Sequence, residues 1–225
     1  MLFVNYIKYT VKTSKRAKYI RITINQQGEV IVTKPWLVPT FMVKKFVHEK
    51  HDWIKQSLEE VNGQQSNVDP NTIFYKGKLY TYNYQQGTFK ITIKHPTLTV
   101  HAYSKSSAIR QLEKQLIKEA KLQIIKETNH YSKKMKLPFN EIRFKDQKTR
   151  WGSCSSKGNL NFNWRLIMSP PEVLRYVVIH ELAHLEHMNH SYKFWDLVEK
   201  FDPDYREHKR WLKKHQQMLL IHHLK

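Results

Sequence analysis

Apolar and polar residues alternate at period two over Lys18-Tyr19-Ile20-Arg21-Ile22-Thr23-Ile24 and again over Val30-Ile31-Val32-Thr33. That period places every second side chain on one face of an extended segment, so both read as strands, with Gln26-Gln27-Gly28-Glu29 as the turn between them. Pro35 and Pro39 break the alternation. Over residues 40–61 the period lengthens. Phe46, Val47, Trp53, Ile54 and Leu58 recur at three- and four-residue spacing, which predicts one amphipathic helix. Gly63-Gln64-Gln65-Ser66-Asn67 reads as a loop. A second extended section follows at Thr72–Tyr75, a Lys76-Gly77 turn, 79–84, 89–94 and Thr97–Ala102. Residues 106–135 are then helical, with Ile109, Leu112, Leu116, Ala120, Ile124 and Ile125 along one face and Leu137-Pro138 as the stop. No sequence repeat is visible.

The last third has the sharpest pattern. Residues 140–145 read as a strand, and Trp151-Gly152-Ser153-Cys154 leads into the turn Ser155-Ser156-Lys157-Gly158. From Asn159 the alternation sets Leu160, Phe162, Trp164 and Leu166 on one strand face and Asn159, Asn161, Asn163 and Arg165 on the other. Ser169-Pro170-Pro171-Glu172 is a helix start, with Ser169 as N-cap and Glu172 as its capping-box partner. The helix behind it is nearly all apolar, from Val173 to Leu185. Its polar exceptions are His180, Glu181 and His184.

On a helix, positions i and i+4 share a face, so the two imidazoles of His180 and His184 converge. Such a pair can hold Zn²⁺ and leave room for a third ligand and a water, with Glu181 as the general base that activates that water. This is the chemistry of peptide-bond hydrolysis. Three residues compete for the third ligand position. His190 stands six residues beyond His184, Glu199 lies on the next predicted helix, and His187 would stay on the same face if the metal helix ran on. For His190 to reach the site, Asn189 would take the left-handed turn that ends the helix.

Other residues near this motif invite roles. Arg150, Asn161, Asn163 and Tyr192 are candidate substrate-binding side chains. Arg150 could equally pair with Glu172 or Asp196, and the asparagines could be a solvated strand face. Tyr192, Tyr205 and His208 are candidates to stabilise a developing oxyanion. Gly152 suggests close backbone approach. Phe194-Trp195 and Leu197-Val198 would close the site from below. Asp202-Pro203 reads as the next helix start, with Trp211 packing the last helix. His215, His222 and His223 read as part of a basic C-terminal end.

The residues Arg150-Trp151-Gly152-Ser153-Cys154-Ser155, the run from Asn159 to Arg165, Pro170-Pro171-Glu172 and the run from His180 to His190 resemble the YgjP-like zinc metallopeptidase family, a relative of the SprT and WLM metallopeptidases. The close likeness covers about 145–211. The resemblance implies an α+β fold: a minimal zincin-like domain with a backing helix, a small sheet and the metal helix, behind a β-rich N-terminal section with one helix. It also implies zinc on His180, His184 and His190, with Glu181 as base. Relatives in the SprT and WLM groups act on proteins bound to DNA.

Composition narrows the setting. The 225 residues carry 39 Lys plus Arg against 19 Asp plus Glu, a net charge of +20. The excess is spread along the chain, and a field of that sign attracts nucleic acid, so DNA or RNA contact through a basic surface is an expected partnership beside the peptide or protein substrate. An alternative follows: a nucleic-acid-binding protein in which zinc is structural. A single cysteine, Cys154, argues against the thiolate closure such sites use and suits a reducing compartment, expected to be the cytoplasm. No secretory signal is read at the N-terminus and no apolar stretch is long enough to span a membrane. The expected division is a basic β-rich domain at 1–103 and the peptidase domain at 104–225. The sequence does not fix an oligomeric state.

Overall fold

The N-terminal alternation becomes strand pairing in the computed structural model of the chain, which describes residues 2–4, 7–25, 28–66, 69, 71–147, 150–216, 218 and 219. Sheets and helices alternate in three rounds, and the fold belongs to the α+β class. The first sheet holds β1 (Leu2–Val4), β2 (Ile7–Ser14), β3 (Arg21–Ile24) and β4 (Val30–Pro35) in the order β1-β2-β4-β3. β2 runs parallel to β4, with Ser14 opposite Pro35, and β3 runs antiparallel to β4, with Arg21 opposite Thr33. The β2–β3 connection, residues 15–20, therefore arches across the C-terminal end of β4. This shortens the strand expected at 18–24 to its last four residues. Of the expected turn at 26–29, Gln26 and Gln27 lie outside the described residues. Gly28 adopts φ 75° there and donates its N–H to the Asn25 carbonyl (3.0 Å).

The helix expected over 40–61 is two helices, α1 (Thr40–Glu49) and α2 (His51–Ser66), broken at Lys50. The loop expected at 63–67 is the end of α2 through Ser66, and Asn67 lies outside the described residues. Val43, Val47 and Ile54 are fully buried with Tyr9, Val30 and Val32, whereas Trp53 is half exposed.

The second sheet repeats the arrangement. β5 (Thr72–Tyr75), β6 (Lys78–Gln86), β7 (Lys90–Lys94) and β8 (Thr97–Ala102) stand in the order β5-β6-β8-β7, with β6 parallel to β8. The expected turn at Lys76-Gly77 has positive φ at both residues (48° and 79°), the geometry of a two-residue hairpin. α3 (Lys105–Met135) follows, capped by the Ser104 hydroxyl, which accepts the Ser107 N–H at 3.2 Å. Its buried face carries Leu112, Leu116, Ala120 and Ile124. Ile125, expected beside them, is partly exposed.

The third sheet has the same core order without the outer hairpin strand: β10 (Gly152–Cys154), β11 (Asn159–Asn163), β9 (Glu141–Lys145), with β9 parallel to β11. The strand expected to reach Leu166 stops at Asn163. There the Asn163 side chain accepts the Arg165 N–H (3.1 Å) and turns the chain into a 3-10 helix over Trp164–Met168. Trp164 and Leu166 are buried, but from that helix and not from a strand face. α4 (Pro171–Ala183) comes next, then α5 (Tyr192–Phe201) and α6 (Tyr205–His215). Ser169 does not cap α4. Its hydroxyl donates to the Leu166 carbonyl (2.7 Å), held by the 3-10 helix in front.

Two compact units result, Met1–Val68 and Asp69–Lys225, in place of the expected division near 103. Leu98, Val100 and Ala102 of β8 share one buried core with Leu112 and Leu116 of α3 and with Val178 and Ile179 of α4, so the second sheet belongs with α4.

Candidate active site

α4 is buried along most of its length, and it holds His180 and Glu181 in its last turn. His184 is the helix C-cap in the right-handed region, and the chain leaves the helix there. Asn189 is not in the left-handed region. The only non-glycine residues with positive φ among those described are Lys76 and Lys136. The exit instead runs through a turn in which His184 Nδ1–H donates to the His187 carbonyl (3.0 Å), fixing a tautomer whose Nε2 carries a free lone pair.

The turn returns His190 to the helix end. One ring nitrogen from each of His180, His184 and His190 lies within 4.8 Å of the others, and the Nε2 atoms of His180 and His190 are 3.2 Å apart. A tetrahedral centre holding two imidazole nitrogens at about 2.0–2.1 Å separates them by about 3.3 Å, so the spacing fits a shared Zn²⁺. Burial, helped by His184, His190 and Lys209, pushes His180 down to about 3, and burial with the charges of His184 and Lys209 lowers His190. Both rings are thus neutral at ordinary pH, which is the form a metal requires.

The two rivals for the third position are turned elsewhere. His187 lies 3.5 Å from Glu186 and gives its carbonyl to His184. Glu199 accepts a 2.8 Å bond from Arg206. Below the three rings lies Phe194, fully buried, with ring centroids 4.9, 4.5 and 4.8 Å from those of His180, His184 and His190. Trp195 stacks on His190 at 5.6 Å, Tyr205 stacks on Trp195 at 5.1 Å, and the Lys209 ammonium sits over the Trp195 ring at 4.5 Å.

Glu181 lies against β10. A Cβ placed on Gly152 would fall 2.5 Å from Glu181 Oε1 and 2.6 Å from its Cγ, so glycine is what lets the carboxylate lie on the strand. Burial pushes Glu181 up to about 8, against the pull of Arg150, and its Oε2 has no hydrogen-bond partner among the described residues. A cation on the neighbouring rings would favour the ionised form again. Burial, with the Glu181 charge adding to it, raises the Cys154 thiol to about 11, so Cys154 stays protonated beside the site.

Glu181 and His180 open into a cleft of about 350 Å³ that Arg150, Trp151, Tyr176, Lys209 and Lys213 also line. Arg150 thus reaches the site, and no pairing with Glu172 or Asp196 occurs among the described residues. Asn163 is buried and Asn161 half-buried. Asn161 donates to the Ser153 hydroxyl (3.3 Å). Asn163 donates to the carbonyls of Gln147 (2.6 Å) and Arg150 (3.2 Å), so its amide anchors the arch that carries Arg150. Tyr192 is 71% exposed at the start of α5 and lines no part of the cleft. Of the oxyanion candidates, Tyr205 is packed in the Trp195 stack, and His208 Nδ1 lies 2.9 Å from Asp202. Tyr176, Lys209 and Lys213 went unnoticed in the sequence. Tyr176 had a signal, since it stands four residues before His180 on the same helical face. His215 stacks on Trp211 at 4.3 Å, and His222 and His223 lie outside the described residues.

Residues 18–215 match the protein family described as YgjP-like, metallopeptidase domain. Among solved structures, the chain is similar to the metallopeptidase zymogen of Pyrococcus abyssi abylysin, at 27% identity and TM-score 0.38 over 41% of this chain and 95% of that one. It is also similar to the metallopeptidase zymogen of Methanocaldococcus jannaschii jannalysin, at 24% identity and TM-score 0.35 over 40% and 95%. No curated protein matched the chain. No helix among the described residues is long and apolar enough to cross a membrane.

Proposed function

The chain belongs to the YgjP-like metallopeptidase family, and from that premise we propose that it is a zinc-dependent peptidase whose ligands are His180, His184 and His190 and whose general base is Glu181. One observation carries the reading: three ring nitrogens converge, two of them on rings that burial drives neutral, and one of those rings, His180, lines a single cleft together with the buried Glu181 carboxylate. Three ligands leave a position open, which distinguishes a catalytic from a structural site.

A bound Zn²⁺ supplies Lewis acidity, polarising the scissile carbonyl and making water acidic enough to ionise near neutral pH. The remaining work falls to the chain. Glu181 accepts the proton that the attacking water loses and passes it to the leaving amine as the C–N bond breaks. Gly152 holds the carboxylate in place by having no side chain. The His184–His187 bond keeps the His184 lone pair aimed inward, and Phe194 supports all three rings. Arg150, Lys209 and Lys213 give the cleft a cationic rim suited to acidic groups on a substrate. The net charge of +20 supports protein substrates held on nucleic acid.

The test is metal content by mass spectrometry on tag-free protein, joined to hydrolysis of a fluorogenic peptide library. Wild type and His187→Ala are expected to hold about one zinc per chain, and His190→Ala to lose most of it. Glu181→Gln should keep the zinc and lose hydrolysis. Zinc loss in Glu181→Gln, or retention in His190→Ala, contradicts the assignment.

A further inference from the structure

We propose that the arch over β4 is a binding site for single-stranded nucleic acid, with Tyr19 as a base-stacking platform and Arg16, Lys18 and Arg21 as phosphate contacts. The proposal extends the nucleic-acid side of the function above and is independent of its peptidase chemistry.

Residues 15–20 leave β2 and cross the end of β4 before β3 begins at Arg21. Beneath the arch is a groove of about 570 Å³ that also takes in Ser14 and Thr33, which is room for a nucleotide. No acidic side chain lines it. Among the described residues no ion pair reaches Arg16, Lys18 or Arg21. Glu29, the first acidic residue along the chain, is bonded to Asn25 through both its carboxylate (2.6 Å) and its N–H (2.8 Å). The Arg16 N–H donates to the Ser14 hydroxyl (3.2 Å), which sets the turn that aims the arch outward.

Tyr19 is 82% exposed, more than any other large apolar side chain described. A tyrosine ring held out in water among three unneutralised cations has no packing role. It offers a π-face where a base can stack, while the cations follow the backbone. Exposed duplex bases are already stacked on each other, so the ligand is a single strand. An acidic peptide would meet the cations but not the exposed ring, and a lipid headgroup would likewise leave the ring without a partner face.

The experiment is fluorescence anisotropy of a fluorescein-labelled 12-nucleotide single strand with the full chain at several salt concentrations. Tyr19→Ala should weaken binding about 5- to 150-fold, the worth of one base stack, and Tyr19→Phe should stay within about twofold. Replacing Arg16, Lys18 and Arg21 together by Ala should flatten the log–log salt slope by about 2, at about 0.7 per lost phosphate. A charge-matched control, Ala at Lys90, Lys94 and Lys118, should change the slope much less. Thermal melts verify that each variant folds. The proposal is overturned if Tyr19→Ala binds as wild type, if the two triple variants behave alike, or if only vesicles of mixed phosphatidylcholine and phosphatidylserine bind. Glu181→Gln should bind the strand normally, so hydrolysis and strand binding can fail separately.

Discussion

Gly152→Ala isolates the contact between β10 and Glu181, the proposed general base. Gly152 does not have positive φ, so alanine is conformationally allowed there, and a β-strand alanine ordinarily stabilises by about 0.4–1 kcal/mol through the unfolded state. The added methyl, however, meets Glu181 Oε1 at 2.5 Å, Cγ at 2.6 Å and Cδ at 2.7 Å. Ordinary carbon contacts need about 3.5–4.0 Å, so the whole end of the side chain must retreat by about 1 Å. Glu181 is 5% exposed, and the space open to it is the cleft where substrate would lie. Displacing a catalytic group by about 1 Å costs about 10²-fold in rate. The three proposed ring ligands are untouched, so zinc content should stay at wild-type level while kcat falls about 100-fold and KM changes little. Overpacking should also lower stability by about 1–3 kcal/mol. Peptide hydrolysis under steady-state conditions, zinc content and a thermal melt on the same preparation read all three. A Gly152→Ala protein with wild-type kcat would refute the claim that this glycine positions Glu181, whatever the melt shows.

Three further outcomes follow from the same geometry. Phe194→Ala removes the support of all three rings from a fully buried position, so it should cost about 3–5 kcal/mol and lower the melting temperature by about 6–20 °C. Its zinc should pass to a competing chelator at least tenfold more readily, and unchanged zinc affinity would count against the platform role. Asn163→Ala leaves the carbonyls of Gln147 and Arg150 without their donor, a loss of about 1–3 kcal/mol. Amide exchange at Arg150 and Trp151 should accelerate, and an unchanged exchange pattern would show that the arch is held by something else. Lys209→Glu with Lys213→Glu reverses the charge of the cleft rim, so kcat/KM for acidic peptides should fall about tenfold relative to basic ones, less so at high salt. An unchanged ratio would remove the rim from substrate selection.

What was legible in the sequence followed from short-range periodicity. The spacing of His180 and His184 places both on one face wherever a helix forms, and the all-apolar surroundings of that run made the helix secure. The break at Lys50 and the end of strand β11 at Asn163 were not legible, because each depends on one residue's local bonding. Asn163 carries the same polar alternation as Asn161, yet its side chain takes the Arg165 N–H and starts a 3-10 helix. The strand at Ile7-Lys8-Tyr9-Thr10-Val11-Lys12 carries a clear period-two pattern too, ahead of the expected strands that begin at Lys18. The cationic rim was out of reach for a different reason. Lys209 and Lys213 belong to α6, and only the packing of α6 on α4 brings them to the cleft.

No sequence repeat marks the three sheets, yet three strands stand in the same order in each. In each, a strand runs parallel to its second neighbour in sequence, and the strand between them starts at that neighbour's end: 15–20 lead over β4, 87–89 lead over β8, and β10 begins at Gly152 beside the end of β11 where β9 stops. Backbone bonds hold two of these crossings. The Gly87 N–H donates to the Ala102 carbonyl (3.1 Å), and the Asn163 N–H donates to the Trp151 carbonyl (2.8 Å). The topology requires only that a crossing exist, not which side chains it carries, because an arch over strand ends faces outward and packs little. That is why periodicity, which records burial, does not register the likeness. It is also why the arches can differ in chemistry: 146–151 sets Arg150 beside Glu181, 15–20 sets Arg16, Lys18 and Tyr19 over an open groove, and 87–89, only three residues long, is too short to enclose one. Residues 15–20 are long enough to span a groove and 87–89 are not, so shortening 15–20 to the length of 87–89 should abolish the proposed strand binding while leaving the buried strand pairs of β2, β3 and β4 in place.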